Sequence, residues 1–135
     1  MKLTRPHQIL IVTDNAQSED LRGALVARGF AVTAALDYES ANRQLLTGRF
    51  TLVVIDLVEV AEGVEFIKRV HATMNLTRPL LLVIAEWGTG AGGFALTQGA
   101  DAYEPKPIDA ARLVDAVERL LGTKALSAQG KIGAE

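Results

Sequence analysis

The stretch Thr-Leu-Val-Val-Ile-Asp at residues 51–56 is a run of β-branched and apolar residues that ends in a carboxylate. Continuous apolar runs of this length are typical of strands that are buried on both faces of a parallel sheet. Similar runs occupy 8–13, which Asp14 follows, and 79–85. A carboxylate at the end of a buried strand is held at the edge of the sheet, where ions and phosphates can reach it. These strand ends therefore indicate both a fold and a candidate site.

Short apolar runs alternate along the chain with segments of helical periodicity. Strands are predicted at 8–13, 30–35, 51–55, 79–85 and around 102–103, with helices between them and a last helix that ends near Leu121. Asp37 and Asp109 are suited to cap helices, and Gly29 and Gly48 to end them. Parallel strands need crossover helices, so the pattern predicts an α/β fold. We expect a five-stranded doubly wound parallel sheet, flavodoxin-like, in strand order 2-1-3-4-5.

The composition favours one soluble globular domain. The chain has 135 residues, a formal net charge of -2 and no cysteine, which excludes disulfides and gives no electrostatic footprint for nucleic acid. Its apolar runs are too short for membrane insertion, and no secretory signal is evident. We therefore expect a cytoplasmic protein with an N-terminal extension at 1–7, a domain at 8–121 and a flexible tail or linker at 122–135.

Three polar residues are predicted to meet at one edge of the sheet. In open parallel sheets the ligand binds beyond the carboxyl ends of the strands. Asp14, Asp56 and Lys106 all lie at such ends, so they predict a small acidic pocket that can hold a divalent cation and accept a phosphoryl group. Two simpler interpretations stay open: Asp14 can cap a turn, and Lys106 can be an ion-pair partner that holds an unphosphorylated pocket together.

With these residues in place, the chain resembles the CheY-like receiver domain of bacterial two-component response regulators over roughly 8–121. Asp56 matches the phosphoacceptor that closes the third strand of that family, and Asp14 matches the second member of its acidic pair. Lys106 and Pro107 match its lysine-proline pair, and Tyr103 falls at its aromatic switch position. The resemblance also implies a cis peptide bond before Pro107.

The resemblance implies a chemistry and a set of partners. Mg²⁺ would be held by Asp14, Asp56 and the backbone carbonyl of Val58, and Lys106 would pair with the phosphoryl group. A sensor histidine kinase or a phosphotransfer protein would supply the phosphoryl group, and a protein partner would receive the signal. The domain would not be an enzyme beyond phosphoryl acceptance and self-dephosphorylation. The sequence leaves a homodimer open.

Three departures from the family pattern predict an atypical pocket. Thr13 stands where the first pocket acid is expected, so Mg²⁺ binding should be weak. Ile84 replaces the Ser or Thr that would hydrogen-bond a phosphoryl oxygen, so the coupling of phosphorylation to the rest of the domain should be reduced. The loop after Asp56 lacks the usual Met-Pro and is about one residue short of the pattern.

The predicted function is that of an atypical, stand-alone receiver domain that works through protein contacts. The alternative is a phosphorylation-independent pseudo-receiver that serves as a binding or dimerisation module. A third hypothesis is a small nucleotide-binding protein, because Gly88–Gly93 matches G-x-G-x-x-G, although that loop follows the wrong strand. Trp87 is interpreted as a partly exposed interaction residue, with packing for a loose loop as the alternative, and His71 is expected to face solvent.

Overall fold

The computed structural model describes residues 7–13, 18–74 and 78–128 of the chain. The strands are β1 (Gln8–Val12), β2 (Ala31–Ala35), β3 (Leu52–Asp56), β4 (Leu80–Glu86) and β5 (Ala102–Lys106). The helices are α1 (Ser18–Ala27), α2 (Tyr38–Thr47), α3 (Val60–Met74), α4 (Ala91–Thr97) and α5 (Ala110–Ala128). Strands and helices alternate through these three described segments.

The five strands form one parallel sheet in the order β2-β1-β3-β4-β5. This confirms the predicted α/β class and strand order. Helices α2, α3 and α4 pack on one face of the sheet, and α1 and α5 pack on the other. Val53 and Ile55 point into the first layer while Leu52 and Val54 point into the second, because successive side chains of a strand alternate between faces. The central strand is therefore apolar up to Asp56.

The predicted caps are confirmed by their geometry. Asp37 Oδ1 accepts a hydrogen bond from the Ser40 N–H at 2.7 Å, and Asp109 Oδ1 accepts one from the Arg112 N–H at 2.8 Å. Gly29, which follows α1, has a φ of 96°, a conformation that costs little only for glycine. None of the helices in the described part of the chain is long and apolar enough to span a membrane.

Two elements are longer than the sequence predicts. Helix α5 continues to Ala128, so the backbone at 122–128 is helical where we expected a tail; the rest of that tail, like most of the predicted N-terminal extension, lies outside the described residues. Strand β5 runs to Lys106 and includes Pro105. It is an edge strand, where a proline can be accommodated without loss of a ladder hydrogen bond.

The prediction for His71 was wrong. Its Nε2 lies 2.7 Å from the carbonyl oxygen of Gly99 in a partly buried contact between α3 and the turn after α4. Gly99 has a φ of 127°, and a Cβ at this position would come within 2.6 Å of the imidazole. The glycine is thus required both by its backbone conformation and by the close approach of the ring.

An ion pair joins the starts of β4 and β5 at the amino edge of the sheet. Arg78 donates two hydrogen bonds to the Asp101 carboxylate, at 2.9 and 3.1 Å. The Leu81 N–H donates to Asp101 Oδ2 at 2.7 Å, and the Asp101 N–H donates to the Leu81 carbonyl at 2.8 Å. Partial burial opposes ionisation of Asp101, but the hydrogen bonds from Arg78 and Leu81 and the arginine charge outweigh it and lower the pKa of the carboxyl.

Replacing Asp101 with Asn is expected to lower the free energy of unfolding by about 1–2 kcal/mol at neutral pH. Hydrogen bonds to a charged group contribute more to stability than neutral ones. We expect a value in the lower part of their range, because the Arg78–Asp101 pair is partly exposed to solvent. Since the pKa of Asp101 is lowered by folding, its contribution is present above the unfolded-state pKa of about 3.9 and is lost as the pH falls through the folded-state value.

Denaturant unfolding of the parent and of Asp101→Asn at several pH values tests this expectation. The difference between the two proteins should shrink below about pH 4. Asp115→Asn is the matched control, since the Asp115 side chain is 71% exposed and should change the free energy of unfolding by less than about 0.5 kcal/mol. A pH-independent difference for Asp101→Asn would contradict the assignment to the charged pair.

Candidate phosphoacceptor site

Asp56 and Lys106 meet at the carboxyl edge of the sheet. Asp56 is the last residue of β3 and Lys106 the last of β5, and the two strands are separated by β4. Lys106 Nζ lies 2.5 Å from Asp56 Oδ1, with side-chain exposures of 23% and 12% respectively. The structure thus brings together two residues that lie fifty positions apart in the chain and that the sequence placed at one edge.

Thr13 is the second partner of the carboxylate. It follows β1, is buried, and donates its hydroxyl hydrogen to Asp56 Oδ2 at 2.7 Å. Its backbone N–H donates to the Ala35 carbonyl at 3.0 Å, which fixes the residue between β1 and β2. Sequence reasoning treated Thr13 only as a missing acid. The structure shows that it hydrogen-bonds the same carboxylate that the lysine neutralises.

The contact between Asp56 Oδ1 and the ammonium is an ion pair without a well-formed hydrogen bond. The oxygen is buried and, among the described residues, accepts no hydrogen bond of suitable geometry, although Lys106 Nζ is only 2.5 Å away. At this distance the lysine ammonium neutralises the charge of the carboxylate.

The predicted metal ligands are only partly within the described residues. Asp14 lies outside them. Val58, in the loop after β3, has an exposed side chain. No group of three or more Asp, Glu, His or Cys residues able to hold a metal occurs in the described ranges. Asp56 and the backbone carbonyl of Val58 are oxygen donors, and oxygen is the ligand type that Mg²⁺ prefers.

Comparison with known proteins relates this geometry to a family. Protein PetR of Rhodobacter capsulatus is 31% identical over 121 residues, which cover 90% of this chain and 51% of PetR. The transcriptional regulatory protein TctD of Salmonella typhimurium is 31% identical over 116 residues, 84% of this chain and 51% of TctD. The chain spans about half the length of these curated relatives. No protein-family profile matches it.

Solved receiver structures superpose on nearly the whole domain. The receiver domain of NtrX from Brucella abortus is 25% identical with a TM-score of 0.75, and the match covers 85% of this chain and 98% of that one. The signal receiver domain from Bermanella marisrubri is also 25% identical, with a TM-score of 0.78 and coverages of 86% and 98%. The chain belongs to the CheY-like receiver family. Its fold and its relatives place it in two-component signalling.

In this receiver an apolar pocket adjoins the ion pair. The pocket has a volume of about 260 Å³, and its walls include Asp56, Lys106 and Ile84. Ile84 is buried, and its position in β4 is paired with Asp56 in the register of the sheet. Its carbonyl accepts a hydrogen bond from the Leu57 N–H at 2.8 Å, so the backbone is anchored while the side chain offers no donor. The position nearest to Asp56 on β4 is therefore hydrophobic.

Tyr103 of the receiver packs into a notch in α4. A Cβ built at Gly92 would come within 2.2 Å of the Tyr103 ring, so the ring occupies the space that any other side chain at position 92 would fill. The ring is partly buried and packs against the core layer formed with α2, α3 and α4. Gly92 therefore permits the close contact between α4 and β5.

Substitutions at two adjacent glycines of α4 should have opposite effects on stability. Gly92→Ala is expected to destabilise the domain by about 1–3 kcal/mol, because the added methyl overlaps the Tyr103 ring. Gly93→Ala should stabilise it by up to about 1 kcal/mol, because a Cβ at Gly93 meets nothing within 4 Å and alanine has the higher helix propensity. The midpoint temperatures of thermal unfolding of both variants measure these effects. Equal changes in the two midpoints would mean that Tyr103 is free to leave the notch.

The glycine-rich stretch does not form one continuous loop. Gly88 and Gly90 have φ values of 83° and belong to the turn that precedes α4, in which the Thr89 hydroxyl donates to the Glu86 carbonyl at 3.1 Å and accepts from the Ala91 N–H at 3.2 Å. Gly92 lies within the helix. The side chain of Trp87, at the start of this turn, is exposed. This exposure is what an interaction residue requires.

Proposed function

We propose that this receiver accepts a phosphoryl group on Asp56 from a histidine kinase or a phosphotransfer protein and passes the signal on through protein contacts. The observation that carries the proposal is the position of the Asp56 carboxylate at the end of the central strand, 2.5 Å from the Lys106 ammonium. Membership of the CheY-like receiver family, which the PetR and TctD matches show, supports phosphoryl acceptance. The net charge of -2 favours a protein partner over direct contact with nucleic acid.

The proposed reaction is a phosphoryl transfer between nitrogen and oxygen. An oxygen of the Asp56 carboxylate attacks phosphorus, the bond between phosphorus and the donor's imidazole nitrogen breaks, and that nitrogen keeps the electron pair. Lys106 neutralises charge that develops on the phosphoryl oxygens, which is the main contribution a protein makes to such a transfer. Attack by water later releases inorganic phosphate and regenerates the carboxylate. The domain thus acts as a phosphoryl acceptor with self-dephosphorylation.

The residues fit a magnesium ion in part. Asp56, the Val58 carbonyl and Asp14 would hold it, and the ion would supply further neutralisation of the phosphoryl oxygens. The Asp56 carboxylate and the Val58 carbonyl are oxygen donors, the ligand type that Mg²⁺ prefers, which supports such a role. With Thr13 in place of a second acid, the site carries less negative charge than a complete acidic pair, and we propose that Mg²⁺ binds weakly.

Thr13→Asp is expected to tighten Mg²⁺ binding roughly tenfold, because it adds an anionic oxygen donor to a hard-cation site. The Thr13 hydroxyl is 2.7 Å from Asp56 Oδ2, so the new carboxylate would lie beside the acceptor. Calorimetric titration with Mg²⁺ measures the affinity. Thr13→Asn, which adds a neutral oxygen, is the matched control and should change it much less. Equal affinities in all three proteins would mean that another carboxylate already completes the site.

A pseudo-receiver that binds partners without phosphorylation is the second candidate. The observation in its favour is that the Asp56 carboxylate already has an ammonium and a hydroxyl as partners, an arrangement that is self-sufficient without a phosphoryl group. Incubation with acetyl phosphate and Mg²⁺, followed by intact mass spectrometry, distinguishes the two. A magnesium-dependent gain of one phosphoryl group supports phosphoacceptance; an unchanged mass in every condition, with the protein folded, supports the pseudo-receiver.

A further inference from the structure

An exposed groove lies between α2 and α3, next to the carboxyl edge of the sheet. It has a volume of about 820 Å³ and is lined by residues of both helices and of the loops that precede them. We refer to it as the α2–α3 groove. Three of its apolar side chains are largely exposed: Leu36 at 72%, Leu46 at 84% and Val58 at 68%. They come from the loop before α2, from the end of α2 and from the loop before α3 respectively.

Packing within the domain does not explain why these three apolar side chains are exposed. Leu36 precedes the helix-capping residue Asp37, the position from which an apolar side chain can pack onto the fourth residue of the helix, here Ala41. Ala41 is fully buried, yet most of the Leu36 surface is exposed. In α2 the core-facing residue is Leu45, and its neighbour Leu46 points away from the core. Three apolar side chains thus line one surface, and no residue in the described part of the chain covers most of their area.

The border of the groove is strongly acidic. Among the described residues, six carboxylate side chains and two guanidinium groups line it. The carboxylates belong to Asp37, Glu39, Asp56, Glu59, Glu62 and Glu65. Arg43 is paired with Glu39 at 3.4 Å, and Asp56 is paired with Lys106. When these two pairs are set aside, the lining has four carboxylates and a single guanidinium, that of Arg69.

Helix electrostatics explain only part of this charge. Glu39 and Glu62 lie in the first turns of α2 and α3, where a negative charge is favourable beside the helix dipole. Glu65 lies beyond the first turn and gains little there. Glu59 and Glu65 add two further carboxylates to the lining of the groove. An apolar floor with an acidic border is complementary to an amphipathic segment that carries basic residues beside its apolar face.

We infer that the α2–α3 groove is a docking site for a basic amphipathic helix of a partner protein. Leucine-sized residues at helical spacing would cover Leu36, Leu46 and Val58, and lysines or arginines on either side would face the carboxylates. This is the helix-in-groove mode of recognition, in which apolar anchors supply affinity and border charges supply orientation and specificity. The inference goes beyond the proposed function and does not require phosphorylation of Asp56.

The test uses the unphosphorylated protein and two synthetic helical peptides. Both carry leucines at i, i+3 and i+4 spacing; one has lysines at the flanking positions, and the other has glutamates there. Amide chemical shifts are followed by NMR during titration of the uniformly labelled protein. We expect saturable binding of the lysine peptide, with shifts concentrated at Leu36, Leu46 and Val58, and at least tenfold weaker binding of the glutamate peptide.

Two variants decide whether the groove is responsible. Leu46→Ser should weaken binding of the lysine peptide at least fivefold, and it leaves the core intact because Leu46 is so exposed. Val26→Ser removes another exposed apolar residue, on α1, and should leave binding unchanged. The inference is overturned if the glutamate peptide binds equally well, if Leu46→Ser has no effect, if the shifts concentrate around Trp87, or if the lysine peptide fails to bind.

Discussion

Replacing Asp56 with Asn is expected to abolish the phosphoryl adduct completely. Among the described residues, Asp56 is the carboxylate that ends the central strand and faces Lys106, and an amide oxygen is too weak a nucleophile to replace it. The variant should retain the fold, because Asn keeps the size of the side chain and an oxygen that can accept the Thr13 hydrogen bond. The measurement is intact mass after incubation with acetyl phosphate and Mg²⁺.

The matched control is Asp37→Asn. Asp37 lies at the same edge of the sheet and caps α2 by accepting from the Ser40 N–H at 2.7 Å, a role that Asn fills nearly as well. This variant should gain one phosphoryl group as the parent does. An adduct that persists in Asp56→Asn would show that another residue is the acceptor and would remove the basis for assigning the reaction to this carboxylate.

A second large effect is expected when Ile84 is replaced by Thr. In the parent, a phosphoryl group on Asp56 finds no hydroxyl on β4, because the buried Ile84 side chain lines the adjoining pocket. A ligand shifts a conformational equilibrium only through its different interaction with the two states. We therefore expect a small conformational response in the parent and a clearly larger one in Ile84→Thr, where the new hydroxyl can donate to a phosphoryl oxygen.

Amide hydrogen exchange over residues 86–104, with and without beryllium fluoride as a phosphoryl mimic, measures the response. Ile84→Val is the matched control, since it shortens the side chain without adding a donor. It should behave as the parent does, apart from a stability loss of about 0.5–1.5 kcal/mol. A strong response in the parent would mean that the coupling runs through a group other than residue 84.

Tyr103 limits the conformational change that the parent protein can undergo when Asp56 is phosphorylated. Its ring already fills the notch at Gly92, and both residues lie in the segment whose exchange is followed. Movement of the ring out of this notch would uncover apolar surface on α4 without a new hydrogen bond to compensate for it. The close contact of Tyr103 with Gly92 and the absence of a hydroxyl at Ile84 therefore both favour a receiver whose structure changes little when Asp56 is modified.

Much of the fold could be predicted because it depends on local patterns. The apolar run that ends at Asp56, the capping residues Asp37 and Asp109 and the glycine after α1 each specify their element within a few positions. The handedness of parallel crossovers and the resemblance to receivers then restrict the strand order. The ends of elements were less predictable: α5 reaches Ala128 because small and helix-forming residues continue its pattern beyond Leu121.

Part of the candidate site could not be predicted, because it depends on which side chains meet across elements. The hydrogen bond from Thr13 to Asp56 joins residues 43 positions apart, and a threonine in a sequence does not indicate its partner. The same holds for the contact of His71 with the Gly99 carbonyl, since we expected His71 to face solvent. The exposure of Leu46 could not be predicted either, because adjacent leucines of a helix can pack against the same layer, as Leu120 and Leu121 of α5 do.

The sequence by itself determined the class of the fold and the positions of Asp56 and Lys106 at strand ends, since periodicity and strand ends are properties of short segments. The expected order of the strands followed from the rules for parallel sheets together with the resemblance to receivers. Only the tertiary structure decided that Thr13 hydrogen-bonds Asp56 and that the Tyr103 ring packs against Gly92. It also decided that Leu36, Leu46 and Val58 line one acidic groove. The physical reason is that such contacts depend on the packing of helices and loops against the sheet, which fixes distances between side chains that no local pattern contains.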